Sequence, residues 1–198
     1  MEKVFAEHPE LVNYKVLNVQ KLKFGKIDLK DKFFDTLRED YPGFDKWFIK
    51  KYDDEAYITI NSNNGMLLSF LFLKVEGIDE DYSNIHPILP PKKRLKVGTF
   101  KVINNGFRLG ERFLKIIFDN ARNNGVEEIY VTLFEAKREN VKALQQLMEQ
   151  WGFKKHGYKK AGVYYEAVKP NHDNLVFVCH FGLSCVLLSH LLNIPPML

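Results

Sequence analysis

Val102-Ile103-Asn104-Asn105-Gly106-Phe107-Arg108-Leu109-Gly110-Glu111-Arg112 joins an apolar run to an amphipathic one and carries two glycines and two arginines. Upstream, residues 95–102 alternate as a strand. Downstream, residues 110–123 place Phe113, Ile116, Ile117 and Ala121 on one helical face. Between them the chain turns from period two to period 3.6. A helix start leaves about four N–H groups unpaired and carries partial positive charge, so such a turn suits either an ordinary strand-to-helix connection or a bound pyrophosphate.

Working outward, Asn124-Gly125 closes the helix, and residues 128–134 read as a strand whose apolar run Ile129-Tyr130-Val131-Thr132-Leu133 suits burial on both faces. The strand-helix-strand unit predicts parallel strands with a right-handed crossover. A further helix spans residues 140–151 and ends at Gly152, and strands follow at 153–158 and 163–169. On the amino-terminal side, residues 31–37 begin with the N-cap residue Asp31 and set Phe33, Phe34 and Leu37 on one face. Residues 44–52 form a second short helix with Phe44, Trp47 and Phe48 inward. Strands at 55–60 and 66–76 flank Asn61-Ser62-Asn63-Asn64-Gly65, whose residues tolerate positive φ, and predict a hairpin. Residues 77–91 read as a polar, proline-bearing loop.

Composition narrows the function. Of 198 residues, 45% are hydrophobic and 27% charged, and the net charge of +4 is too mild for a nucleic-acid-tracking surface. The cluster Lys92-Lys93-Arg94-Leu95-Lys96 reads as a solvated strand entry. Cys179 and Cys185 lie late in the chain, so no disulfide framework staples the body, which suits a reducing, cytoplasmic setting. Residues 1–10 hold no apolar run of the signal-peptide kind, and no window reaches membrane-span length.

The order of elements, with the glycine-bearing loop after the fourth strand, resembles the GNAT superfamily of acyl-CoA-dependent N-acetyltransferases over residues 28–169. The resemblance implies an α/β fold with a mixed, mostly antiparallel central sheet flanked by helices. The family's Q/R-x-x-G-x-G/A segment, whose backbone amides bind the pyrophosphate of coenzyme A, is matched by Phe107-Arg108-Leu109-Gly110-Glu111-Arg112. Gly110 holds the central glycine, Phe107 replaces the leading basic residue beside Arg108, and Arg112 replaces the final small residue. The resemblance implies acetyl-CoA as co-substrate, no metal, and a cofactor site from Phe100, Lys101, Val102, Arg108, Leu109, Gly110, Glu111 and Arg112. Asn140 and Ala143 add an upstream N-x-x-A element. Leu147-Met148-Glu149-Gln150-Trp151-Gly152-Phe153 resembles the family's F-Y-x-x-x-G-F segment, with Met148 at the tyrosine that protonates the departing thiolate. Methionine has no proton to give, so that general acid is missing.

For the base, Glu76 at the end of the third strand and Glu135 just after the fifth stand in suitable positions, each with the alternative of a solvated strand-end carboxylate. Tyr158 and Tyr130 are proton donors by type, although Tyr130 reads better as core packing with a tethered hydroxyl. The partners expected are acyl-CoA and an amine-bearing acceptor, with neither membrane nor nucleic acid. A non-catalytic acyl-CoA-binding module is the alternative.

Residues 1–170 read as the acyl-CoA-binding domain and 171–198 as a strand-helix extension, or the stub of a second domain. Asn174-Leu175-Val176-Phe177-Val178-Cys179-His180-Phe181-Gly182 and the apolar residues 183–193 resemble the second-histidine segment of the histidine phosphatase superfamily, with His180 in the histidine's place. The R-H-G segment of that superfamily is absent, so phosphatase activity is not expected. The apolar tail needs cover from the core, a homodimer partner or a further domain.

Overall fold

The computed structural model describes residues 18–41, 43–103, 109–133, 139–160 and 174–180. The chain divides into two compact units, Met1–Phe70 and Leu71–Leu198.

In the first unit, strand β1 (Gln20–Lys23) pairs antiparallel with β2 (Glu55–Ile60), Gln20 facing Ile58 and Lys23 facing Glu55. Two 3-10 turns, Phe24–Lys26 and Lys32–Phe34, precede helices α1 (Asp35–Asp40) and α2 (Phe44–Lys50). Asp31 acts as the expected cap: its Oδ1 accepts from Phe33 N at 2.8 Å, and its Oδ2 accepts from Leu67 N at 3.0 Å. The helix expected at 31–37 therefore opens with a tighter turn. Phe24, Phe34, Phe44, Phe48 and Phe70 form an aromatic core with ring centroids from 4.7 Å (Phe24–Phe48) to 6.0 Å (Phe48–Phe70). Strand β3 (Leu67–Glu76) follows the 61–65 turn, where Gly65 takes φ 74°, and runs on into the second unit.

The second unit adds β4 (Ile85–His86), β5 (Arg94–Val102), α3 (Leu109–Asn123), β6 (Glu128–Leu133), α4 (Glu139–Gln150), β7 (Lys154–Lys159) and β8 (Asn174–His180). Its strand order is β3-β5-β6-β8-β7-β4, while the first unit contributes β1-β2-β3. The sheet is mixed and mostly antiparallel: β5 and β6 are parallel, and β6–β8, β8–β7 and β7–β4 are antiparallel. Helix α3 connects the parallel pair and buries Phe113, Ile116, Ile117 and Ala121, the face its spacing predicts. The proline-bearing segment 77–91 is not loop throughout, because β4 adds at the β7 edge. Gly157 makes that approach feasible: a Cβ there would lie 1.9 Å from His86 O.

The strand expected at 163–169 and the helix expected at 183–193 lie outside the described residues. Asn174–His180, read from sequence as an addition to a complete domain, is hydrogen-bonded on both sides, to β6 from Glu128↔His180 to Leu133↔Leu175 and to β7 from Lys154↔Val178 to Lys159↔Asn174. Val176 and Phe177 are fully buried. We propose that the folding domain extends at least to His180. Removing residues 171–198 would strip an inner strand, and the melting temperature should collapse; a shortened chain that melts like the full one would refute this boundary. Phe177→Ala, a milder probe in denaturant unfolding, should cost about 3–5 kcal/mol.

Candidate functional site

The parallel pair holds the key geometry. Its register covers Leu95↔Ile129, Lys96↔Tyr130 and Val97↔Val131. Among the described residues the pairing stops there, although β5 continues to Val102 and β6 to Leu133. On its other side β6 stays paired with β8 to its end. Helix α3 begins at Leu109, soon after β5 ends. An interrupted parallel pair and a helix start thus occur at the same end of β5.

Of the residues expected to hold acyl-CoA, Phe100, Lys101 and Val102 are partly buried on β5, and the Phe100 ring stacks on Phe113 of α3 at 6.0 Å. Leu109, Gly110, Glu111 and Arg112 form the first turn of α3, with Leu109 buried. Arg108, like Gly106, lies outside the described residues. Gly110 has a packing role that the motif does not reveal: a Cβ there would stand 2.6 Å from Leu147 Cδ2 of α4. Glycine at this point lets two helices approach, whatever the helix start binds. Asn140 occupies the first turn of α4.

Met148 is fully buried, and its carbonyl accepts from Trp151 N at 3.0 Å and Phe153 N at 3.1 Å. The position that sequence matched to the tyrosine of the F-Y-x-x-x-G-F segment is thus filled by a core side chain. Glu135 lies outside the described residues. Tyr158 on β7 is 39% exposed and faces His86, with ring centroids 5.5 Å apart.

Glu76 is not a solvated strand-end carboxylate. Its side chain is completely buried, and four donors surround it. The Tyr130 hydroxyl donates to Oε2 at 2.7 Å and the Tyr82 hydroxyl to the same oxygen at 3.2 Å. Lys74 Nζ donates to Oε1 at 3.2 Å, and Lys96 Nζ stands 3.4 Å from it. Burial pushes the carboxyl up, but the Tyr130 bond, Lys96 and Lys74 outweigh burial and hold it below the usual carboxylate range. A carboxylate so committed is a poor proton acceptor. Tyr130 is buried with its hydroxyl tethered, the reading its strand position favours, and burial followed by the bond to Glu76 raises its pKa. Sequence alone missed this cluster because the donors come from β3, β5, β6 and the loop after β3.

At the other end of these strands, the buried Arg94 donates through Nε to Glu128 Oε1, and His180 Nδ1 lies 3.0 Å from Glu128 Oε2. His180 thus ends β8 beside the Arg94–Glu128 ion pair.

No family model and no curated protein matches this chain. Solved structures do match it. An IAA acetyltransferase from Bacillus cereus is similar with a TM-score of 0.55 at 12% identity, over 83% of this chain and 99% of its own. A GNAT family acetyltransferase from Elizabethkingia anophelis, determined with acetyl-CoA bound, gives 0.55 at 12% identity over 84% and 99%. The ribosomal-protein-S18-alanine N-acetyltransferase from Escherichia coli gives 0.54 at 15% over 84% and 94%. The fold is therefore that of the GNAT acetyltransferases.

The Glu76 cluster makes a pH-dependent prediction. A carboxyl held below its unfolded-state value stabilises the fold above that value and loses its contribution as pH falls through the folded one. Glu76→Gln should destabilise the protein by about 1–3 kcal/mol at pH 7. It should also flatten the loss of stability between neutral and strongly acidic pH, measured by denaturant unfolding. An unchanged acid limb in the variant would remove Glu76 from this role.

Proposed function

We propose that the chain is an N-acyltransferase, moving an acetyl or short acyl group from acyl-CoA to an amine by direct attack. The observation that carries this reading is the end of the β5–β6 pairing at Val97 and Val131 beside the start of α3. An amide-containing arm can add to a strand edge by backbone hydrogen bonds, which gives Phe100, Lys101 and Val102 their role. The first turn of α3, Leu109 to Arg112, suits the pyrophosphate because a helix start directs backbone N–H groups outward and carries the positive end of the helix dipole. Arg108 would add a charge-assisted bond. Fold likeness to an acetyltransferase with acetyl-CoA bound supports acyl-CoA as the co-substrate.

In the reaction, the amine nitrogen bonds to the acyl carbon, the carbon–sulfur bond breaks and coenzyme A leaves as a thiolate that takes up a proton. The amine must first be neutral, and its proton passes to a base or to water. Glu135 remains the side chain proposed for proton transfer, Tyr158 projecting from the sheet face opposite Tyr130, and positioning of the two substrates supplies much of the rate. Glu76 is better suited to holding the neighbouring lysines and tyrosines than to taking a proton. The setting is taken as cytoplasmic; among the described residues no helix is long and apolar enough to cross a membrane.

Buried Met148 favours one further reading, an acyl-CoA-binding module without turnover. Isothermal titration with acetyl-CoA and thiol release over a panel of amines separate the two. Tight binding without release from any amine would identify the module. Arg108→Ala should weaken acetyl-CoA binding roughly tenfold or more, and by a larger factor than Arg112→Ala. The reverse order would mean that the anion sits in another register of the loop.

A further inference from the structure

The sheet face that carries Glu76 holds a cation with no ion pair of its own among the described residues. Strand register fixes which side chains share this face. Lys96 pairs with Tyr130, and Tyr130 with Val178; along β8, Val176 and Asn174 follow on the same side. Asn174 in turn faces Lys159 on β7. Lys159 therefore projects from the Tyr130 face, and Tyr158 from the opposite one. Lys74 and Lys96 are engaged by Glu76, and Lys74 also donates to Glu80 at 2.9 Å. Three lysines thus face two carboxylates, and Lys159 is the one left over.

The Lys159 side chain is half-buried and makes no hydrogen bond or ion pair among the described residues. Burial, and then the charge of Lys96, hold its ammonium below the usual lysine value. Opposite it, Asn174 Oδ1 is buried without a hydrogen-bond partner. Buried polar atoms are normally satisfied, so an orphan buried acceptor facing a half-buried ammonium that has no ion pair marks a place where a ligand can complete the bonding. Their level along the sheet agrees. The Lys159–Asn174 pair lies one residue past Leu133↔Leu175, beyond the point where β5 and β6 stop pairing.

We propose that Lys159 and Asn174 form an acceptor-recognition corner that selects amines carrying an acidic group, a carboxylate or a phosphate. Lys159 Nζ takes the acid oxygen, and Asn174 Oδ1 accepts an N–H of the acceptor. The inference rests on the acyl-transfer reading and narrows its acceptor to acidic amines. Lys159 is a specificity residue, so its effect should fall on the acceptor and not on acyl-CoA.

Two matched pairs test this by thiol release with acetyl-CoA: tyrosine against tyramine, and phosphoethanolamine against ethanolamine. The wild type should favour the acid-bearing member of at least one pair by roughly tenfold or more in kcat/KM. The pair that shows the preference identifies the acid. Lys159→Ala should bring the two members to parity, Lys159→Arg should keep the preference, and neither should change acetyl-CoA affinity by calorimetry. No preference in the wild type, or a preference that survives Lys159→Ala, overturns the proposal.

A second measurement needs no turnover. In protein whose lysines carry 13C-methyl groups, the Lys159 signal should titrate below the other lysines and shift upward when acetate or inorganic phosphate is added. A Lys159 signal indifferent to both anions sinks the corner even if acetyl transfer is found. An anion response without acetyl-CoA binding would instead retain the anion site and defeat the acyl-transfer reading.

Discussion

A carboxylate with no exposed surface organises the polar face of the second unit. An isolated ion at Glu76 would carry a desolvation penalty of several kcal/mol, so the fold must bring donors to it. It does so from four places in the chain: Lys74 two residues earlier on β3, Tyr82 in the following segment, Lys96 on β5 and Tyr130 on β6. These bonds hold β3, β5 and β6 together at the level of Lys96 and Tyr130. One residue further on, the pairing of β5 with β6 ends. The polar cluster thus anchors the strands beside the place where they stop pairing.

An opening between two strands weakens a sheet unless each keeps another partner. Three parallel pairs are a short ladder, and parallel pairing is slightly less stable per residue than antiparallel pairing. β6 is held instead by β8, with antiparallel partners from Glu128 to Leu133. β8 is held on its far side by β7. The late strand can therefore be read as the support that lets β6 remain in the sheet where it no longer touches β5. Its apolar run Leu175 to Cys179 suits such an inner position, since both faces are covered.

Much of this was legible in the sequence. The change of period across residues 102–112 located β5 and α3 to within a residue, and the run Ile129 to Leu133 located β6, because each buries a regular apolar pattern. The Asn61 to Gly65 turn fixed the hairpin entry. Other parts were hidden because they depend on contacts distant in sequence. Glu76 is followed by Gly77 and looks like a solvated strand end; nothing nearby announces that Tyr130 will donate to it. Asn174–His180 reads as a buried strand, but periodicity names an element without naming its neighbours. Gly110 shows the same limit: its match to a phosphate-binding motif was visible, and its approach to Leu147 was not.

Buried Met148 bears differently on the two proton transfers that acyl transfer requires. A thiol with a pKa near 8.5 leaves as a thiolate that water can protonate readily, so losing a dedicated acid there is a modest handicap. An alkyl amine with a pKa near 10.4 must lose a proton before it can attack, which at neutral pH is a deficit of about three units, or roughly 4–5 kcal/mol. The harder problem is therefore the acceptor. A cation close to an ammonium disfavours its charged form and an anion favours it, so the balance of charge on the face that carries Glu76, Lys96 and Lys159 bears on how easily a bound amine gives up its proton. Under the proposed chemistry, Lys159 pairs with the acceptor's acidic group and so offsets that anion's tendency to keep the neighbouring amine protonated.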